Sequence, residues 1–157
     1  MTREEKFMQE AIALSQMGID QNEGGPFGCV IVKDDVIIGR GNNKVTSTND
    51  PTAHAEVVAI RDACKNLNNF QLEGCEVYTS CEPCPMCLGA IYWARPKIIY
   101  YANNREDAAE IGFDDSMIYR EMAAGIDTRK IPIKNIARED ALKVFADWKH
   151  KADKKNY

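Results

Sequence analysis

Histidine is scarce in this sequence: only His54 and His150 occur in 157 residues. Any site built on imidazole must use one of the two. No apolar run approaches the roughly eighteen residues a membrane-spanning helix needs, so no membrane partner is expected. The opening Met-Thr-Arg-Glu-Glu-Lys lacks the apolar stretch of a secretory leader. Basic residues do not dominate: 20 Lys and Arg stand against 24 Asp and Glu, a net charge of −4. That argues against a nucleic-acid partner, which leaves a basic footprint. Repeats, linkers and low-complexity segments are also missing, so residues 1–157 are expected to form one domain with a full core. Six cysteines in a chain without a leader are expected to be reduced or metal-bound, in the cytoplasm.

The segment Tyr78 to Arg95, Y-T-S-C-E-P-C-P-M-C-L-G-A-I-Y-W-A-R, concentrates the chemistry. It continues an apolar run, Cys75 to Thr79, that predicts a buried strand. Pro83 and Pro85 flank Cys84, and proline suits the first helical position. A helix is predicted from near Cys84 or Pro85 to Arg95, where Pro96 stops it. Cys84 and Cys87 then share one face of the first turn. Free N–H groups and the positive end of the dipole favour thiolates there.

An iron–sulfur run would need a fourth cysteine nearby, but Leu88 and Ile91 stand in its place. A structural zinc ribbon would need a second Cys-x-x-Cys, which the isolated Cys64 and Cys75 do not supply. The third ligand must come from elsewhere, and His54 is the better histidine. It lies in Asn49-Asp50-Pro51-Thr52-Ala53-His54-Ala55-Glu56. Thr52 is predicted to cap a helix with Val57, Ile60, Ala63 and Cys64 on its apolar face. His54 falls in its first turn, with Glu56 two residues on. One histidine and two cysteines leave a fourth zinc position open, as in catalytic sites. Such a site makes hydroxide available at neutral pH, and Glu56 is placed to carry protons. Cys29, Cys64, Cys75 and Cys81 read as small buried hydrophobes.

In chain order, Thr2-x-x-Glu5 is a capping box opening a helix to about Asp20. Cys29 to Lys33 and Val36 to Arg40 predict a hairpin around Asp34-Asp35. Asn42 to Pro51 is a polar loop, and the His54 helix ends near Lys65 or Asn66. Lys97 to Tyr101 predicts a strand parallel to the one before Cys81, through a right-handed βαβ unit. Short helical pieces follow between Glu106 and Met122. Ile131 to Ile133 is a weak fifth strand. Ala137 to about Lys151 is an amphipathic helix with Ala141, Val144, Phe145 and Trp148 on one face. The fold class is α/β: a three-layer α/β/α sandwich with a five-stranded mixed sheet.

His-x-Glu followed by Pro-Cys-x-x-Cys is a zinc-deaminase signature. On it, and on Gly24 to Gly28, Asn49 to Glu56, Thr79 to Arg95 and Gly112 to Ser116, the chain resembles the cytidine-deaminase-like zinc hydrolases. Gly112 to Ser116 and the terminal tyrosine resemble the guanine branch. The resemblance implies hydrolytic deamination of guanine at C2 to xanthine, one zinc on His54, Cys84 and Cys87, and a small purine base as partner. It also implies a homodimer. Glu56 becomes the acid–base residue. Asp115 assists proton transfer or binds substrate, and Asn43 hydrogen-bonds the base. Phe27 and Trp93 stack on it, and Tyr157, with the segment from about 138 to 157, closes the pocket.

Each residue also has a plainer reading. Glu56 is a first-turn carboxylate favoured by the dipole. Asn43 caps a turn, Asp115 caps a helix, Phe27 and Trp93 are core aromatics, and Tyr157 ends a solvated tail. A tRNA adenosine or cytosine deaminase would use the same zinc and glutamate. A structural zinc module of an interaction protein would use the metal alone.

Overall fold

The computed structural model describes all residues, 1–157, and divides into two compact units, Met1–Asp115 and Ser116–Tyr157. In the first unit, helix α1 (Arg3–Asp20) precedes strands β1 (Gly28–Lys33) and β2 (Val36–Asn42). The short α2 (Val45–Thr48) and the longer α3 (Ala55–Leu67) follow. Then come β3 (Glu76–Cys81), α4 (Pro85–Ala94), β4 (Ile98–Asn103) and α5 (Arg105–Glu110). The second unit holds α6 (Ser116–Ala123), a 3-10 turn at Ile126–Thr128, and α7 (Arg138–His150). No helix is long and apolar enough to cross a membrane.

The capping box expected at Thr2 is present: Thr2 Oγ1 accepts from Glu5 N–H, and the Glu5 carboxylate accepts from Thr2 N–H. The sheet order is β2-β1-β3-β4. β1 is antiparallel to β2 and β3, and β3 is parallel to β4, so the sheet is mixed as expected. It has four strands, not five. Residues 131–133 form no strand, because Pro132 cannot donate to a ladder. The loop after β2 also contains the unexpected turn of α2.

Strand alternation sends side chains to two cores. Cys29, Ile31 and Val77 meet Ala55, Ala59 and Ala63 of α3 and Ile91 of α4. Val30, Val32 and Tyr78 meet Ala11 of α1. The sheet is thus a middle layer between α1 and the α3–α4 pair. Tyr78 stacks on Tyr100 with centroids 4.7 Å apart, worth about 0.5–1.5 kcal/mol beyond its burial.

Close approach, not bulk, holds α3 down. A Cβ on Gly41 would sit 2.2 Å from the Ala55 carbonyl oxygen, and one on Gly39 would sit 2.5 Å from that of Ala59. Glycine in β2 facing alanine in α3 lets the helix backbone lie directly on the strand, which fixes the height of its N-terminus above the sheet. In the second unit no residue of α6 or α7 is buried. Val144, Phe145 and Trp148 are all exposed, so the apolar face expected on α7 is not covered within that unit.

Candidate metal centre

α3 and α4 begin on the same face of the sheet, and the metal ligands lie where they start. α3 starts two residues later than a Thr52 cap implies, and α4 starts at Pro85, as expected. His54 is the N-cap of α3, with φ −70° and ψ 156°, and Cys84 is the N-cap of α4, with φ −64° and ψ 167°. Thr52 does not cap α3. Its N–H and hydroxyl both donate to Asp50 Oδ1, at 2.8 and 2.7 Å, in a local Asx turn that competes for the side chain. Pro85 takes the first helical position of α4 and Cys87 falls in its first turn. At the other end Arg95, in the left-handed region, caps the helix before Pro96.

His54 Nδ1 lies 3.6 Å from Cys84 Sγ and 3.5 Å from Cys87 Sγ. All three ligand atoms lie within 4.8 Å of one another. Zinc–sulfur bonds of about 2.3 Å and zinc–nitrogen bonds of about 2.0–2.1 Å at a tetrahedral angle put nitrogen and sulfur about 3.5–3.6 Å apart. The observed distances match, so the donor set fits one zinc ion bound through Nδ1. Zinc is the cofactor of this site.

The electrostatics already lean that way. The hydrogen bond from Cys87, aided by His54, pulls the Cys84 thiol down to about 4. His54 in turn is raised above the usual imidazole value by its hydrogen bond to Cys84. Cys87 keeps its proton, through its hydrogen bond to Cys84 and its burial, and a metal would displace it. Cys81 stays outside the group: its sulfur faces the Asn104 carbonyl at 3.7 Å, and burial pushes its thiol up to about 11. None of the six cysteines is in a disulfide.

Glu56, in the first turn of α3, is buried beside the ligands. Its Oε2 is 3.3 Å from Cys87 Sγ, its Oε1 accepts from Thr79 Oγ1 at 3.3 Å, and burial raises its pKa. Asp115 is half-buried, and burial together with the Cys84 thiolate raises its carboxyl. Asn43 is buried, and its Oδ1 accepts from the N–H groups of Gly25 and Val45 at 3.2 and 3.1 Å. These two bonds orient the amide, leaving Nδ2 as its free donor end. Phe27 meets Phe113 edge-on at 4.9 Å. Phe113 escaped the sequence reading because nothing local ties it to Phe27. Trp93 is 64% exposed, away from the face of α4 that buries Cys87, Ile91 and Ala94. Tyr157 belongs to the second unit and is exposed.

Guanine deaminase of Bacillus subtilis strain 168 is 55% identical over 153 residues, covering 98% of each chain. A crystal structure of the Bacillus subtilis guanine deaminase superposes with a TM-score of 0.95 and covers 98% of each chain. The tRNA-specific adenosine deaminase of Aquifex aeolicus is 41% identical, over 65% of this chain and 68% of its own. NE0047 in complex with 2,6-diaminopurine is 31% identical over 73% of this chain and 63% of its own, with a TM-score of 0.69. Residues 1–103 match the family model described as the cytidine and deoxycytidylate deaminase zinc-binding region, and the chain belongs to that family.

Proposed function

We infer that this chain is a zinc-dependent guanine deaminase, which converts guanine and water to xanthine and ammonia. One observation separates it from the other deaminases that share the zinc site. The likeness to the guanine deaminase is 55% identity over 98% of the chain, including α6 and α7, whereas tRNA-specific adenosine deaminases match at 41% over 65% or 32% over 82%. The second unit is therefore shared with the guanine enzyme. The net charge of −4 also suits a small base better than a polyanion.

When bound, zinc supplies a Lewis acid with one open position that makes water acidic near pH 7. Glu56 then carries both protons of the water. It takes the first and delivers it to a ring nitrogen as the C2–O bond forms. It then takes the second from the new C2 hydroxyl and gives it to the amine as the C–N bond breaks. Its burial beside the ligands supports this, since burial raises its pKa and so makes the carboxylate a better proton acceptor. Asp115 assists that transfer or binds the base, supported by its nearness to the Cys84 charge. Asn43 presents Nδ2 to an acceptor on the base, and Phe27 lies against its ring. For Trp93 as a stacking partner and Tyr157 as a closing residue, the support is the resemblance to the guanine branch. The same holds for the segment 138–157 as a pocket cover.

The chain works as a homodimer in the cytoplasm. The support is that Tyr92 and Trp93 on α4 and, in the second unit, Val144, Phe145 and Trp148 on α7 are large apolar side chains left exposed, and exposed apolar faces mark interaction sites. Six free thiols suit a reducing compartment. Sedimentation at micromolar concentration should show a dimer, and a stable monomer contradicts it.

The deciding experiment is ammonia release from guanine, adenine, cytosine, their nucleosides and tRNA. Guanine should turn over at least tenfold faster than any other substrate. Release from tRNA adenosine or cytosine with none from guanine overturns the reading.

A further inference from the structure

The two oxygens of Glu56 face different neighbours. Oε2 lies 3.3 Å from Cys87 Sγ, and Oε1 accepts a hydrogen bond from the Thr79 hydroxyl at 3.3 Å. Of these two neighbours, Cys87 belongs to the metal-ligand group, and the Thr79 hydroxyl is the donor that stands outside it.

Thr79 is 1% exposed and lies on β3, paired with Cys29 in β1 and Tyr101 in β4. A strand laddered on both sides is the least mobile support this fold has for a side chain. Its same-face neighbours in β3 are Val77 and Cys81. The surrounding core is apolar: Cys29, Ile31, Val77, Ala55 and Ile91. Valine has the shape of threonine and would pack there without a polar group to satisfy. The hydroxyl has a purpose in its bond to Glu56, which lies 23 positions earlier in the chain.

We propose that Thr79 is a positioning residue: its hydroxyl holds Oε1 of Glu56 so that Oε2 stays at the metal centre, in line with the reacting atoms. Thr79 acts through Glu56 and needs no contact with the substrate. The inference rests on the reading of Glu56 as the acid–base group.

The test compares Thr79→Val with Thr79→Ser in the zinc-loaded enzyme, alone and with Glu56→Gln. Small misplacements of a reacting group cost up to about 100-fold, so Thr79→Val should lower kcat by about 10- to 100-fold. KM should stay within about twofold, with one zinc per chain and a near-native melting temperature. Thr79→Ser should stay within about threefold of native, because the hydroxyl is kept. In the Glu56→Gln background, Thr79→Val should cost nothing further. Native kcat/KM in Thr79→Val, equal losses in the Val and Ser variants, or loss of zinc overturns the proposal. If Thr79→Val does not fold, Thr79→Ala replaces it, and an Ala variant as fast as the Ser variant overturns the proposal equally. Native turnover in Glu56→Gln alone overturns the acid–base reading first, and with it this inference. A slow Glu56→Gln beside a fast Thr79→Val overturns the inference and leaves that reading standing.

Discussion

His54 Nδ1 and Cys87 Sγ lie 3.5 Å apart although 33 positions separate them. Each sits at the start of a helix, α3 or α4, and both helices pack on one face of the sheet. The distance is that of two ligands of one tetrahedral zinc. Metal analysis should find one zinc per chain in native protein and in Cys81→Ala, and none in Cys84→Ala. Zinc lost from Cys81→Ala and retained by Cys84→Ala would refute the ligand assignment.

Glu56→Gln removes the proton carrier and keeps the shape. General acid–base groups contribute about 10²–10⁴-fold, so kcat should drop at least about 100-fold with zinc content native. Steady-state ammonia release checks it. Near-native turnover would mean that another residue moves the protons.

Gly24 lies against the Asn43 amide. A Cβ there would come within 2.2 Å of Asn43 Oδ1 and 2.6 Å of its backbone oxygen. Gly24→Ala must therefore displace Asn43. We expect KM for guanine to rise about tenfold or more and stability to fall by about 1–3 kcal/mol, the usual range for overpacking. A native KM with an unchanged melting temperature would show that this loop does not set the orientation of Asn43.

The sheet face toward α1 carries a charged cluster far simpler to test by pH. Glu76 accepts from Arg3 at 2.8 Å, from Tyr78 at 2.6 Å and from Lys97 at 2.9 Å, and Arg3 also pairs with Asp35. Burial pushes the Glu76 carboxyl up, but these donors outweigh it and hold it at about 2. The folded pKa is below the unfolded one, so the stabilisation is complete above about pH 4.5 and is lost as pH falls toward 2. Glu76→Gln should be less stable than native by about 1–3 kcal/mol at pH 7. Denaturant melts should show the gap closing between pH 4.5 and 2. A gap independent of pH would mean that the ionic bonds carry none of it.

Deleting residues 154–157 should raise KM or lower kcat for guanine while zinc content and melting temperature stay near native, if Tyr157 closes the pocket. Unchanged kcat/KM in the truncated chain would make Tyr157 part of a solvated tail.

Much of the site was legible in the sequence because its signals are short-range. Cys84 and Cys87 are three apart, His54 and Glu56 two apart, and proline marks the start of α4. Spacing, the absence of a fourth cysteine and the match to the zinc-deaminase signature were enough to choose the metal and its three ligands. The parallel pairing of β3 and β4 followed from the helix between them, and the Thr2 capping box from four residues. Other features depend on neighbours far along the chain. Whether His54 lies in a first turn or at an N-cap was settled when Asp50 took the hydroxyl of Thr52. Ile131 to Ile133 has the composition of a strand, yet Pro132 leaves a gap in any ladder it could join. The amide direction of Asn43 depends on N–H groups 18 positions before it and two after it. The partner of Glu56 is a hydroxyl on β3, placed by strand register, and the edge-on contact of Phe27 with Phe113 joins residues 86 positions apart. A sequence states which donors and acceptors exist. Which of them meet is decided by sheet register and by how closely glycine and alanine let a helix approach the sheet, and those are properties of the folded chain.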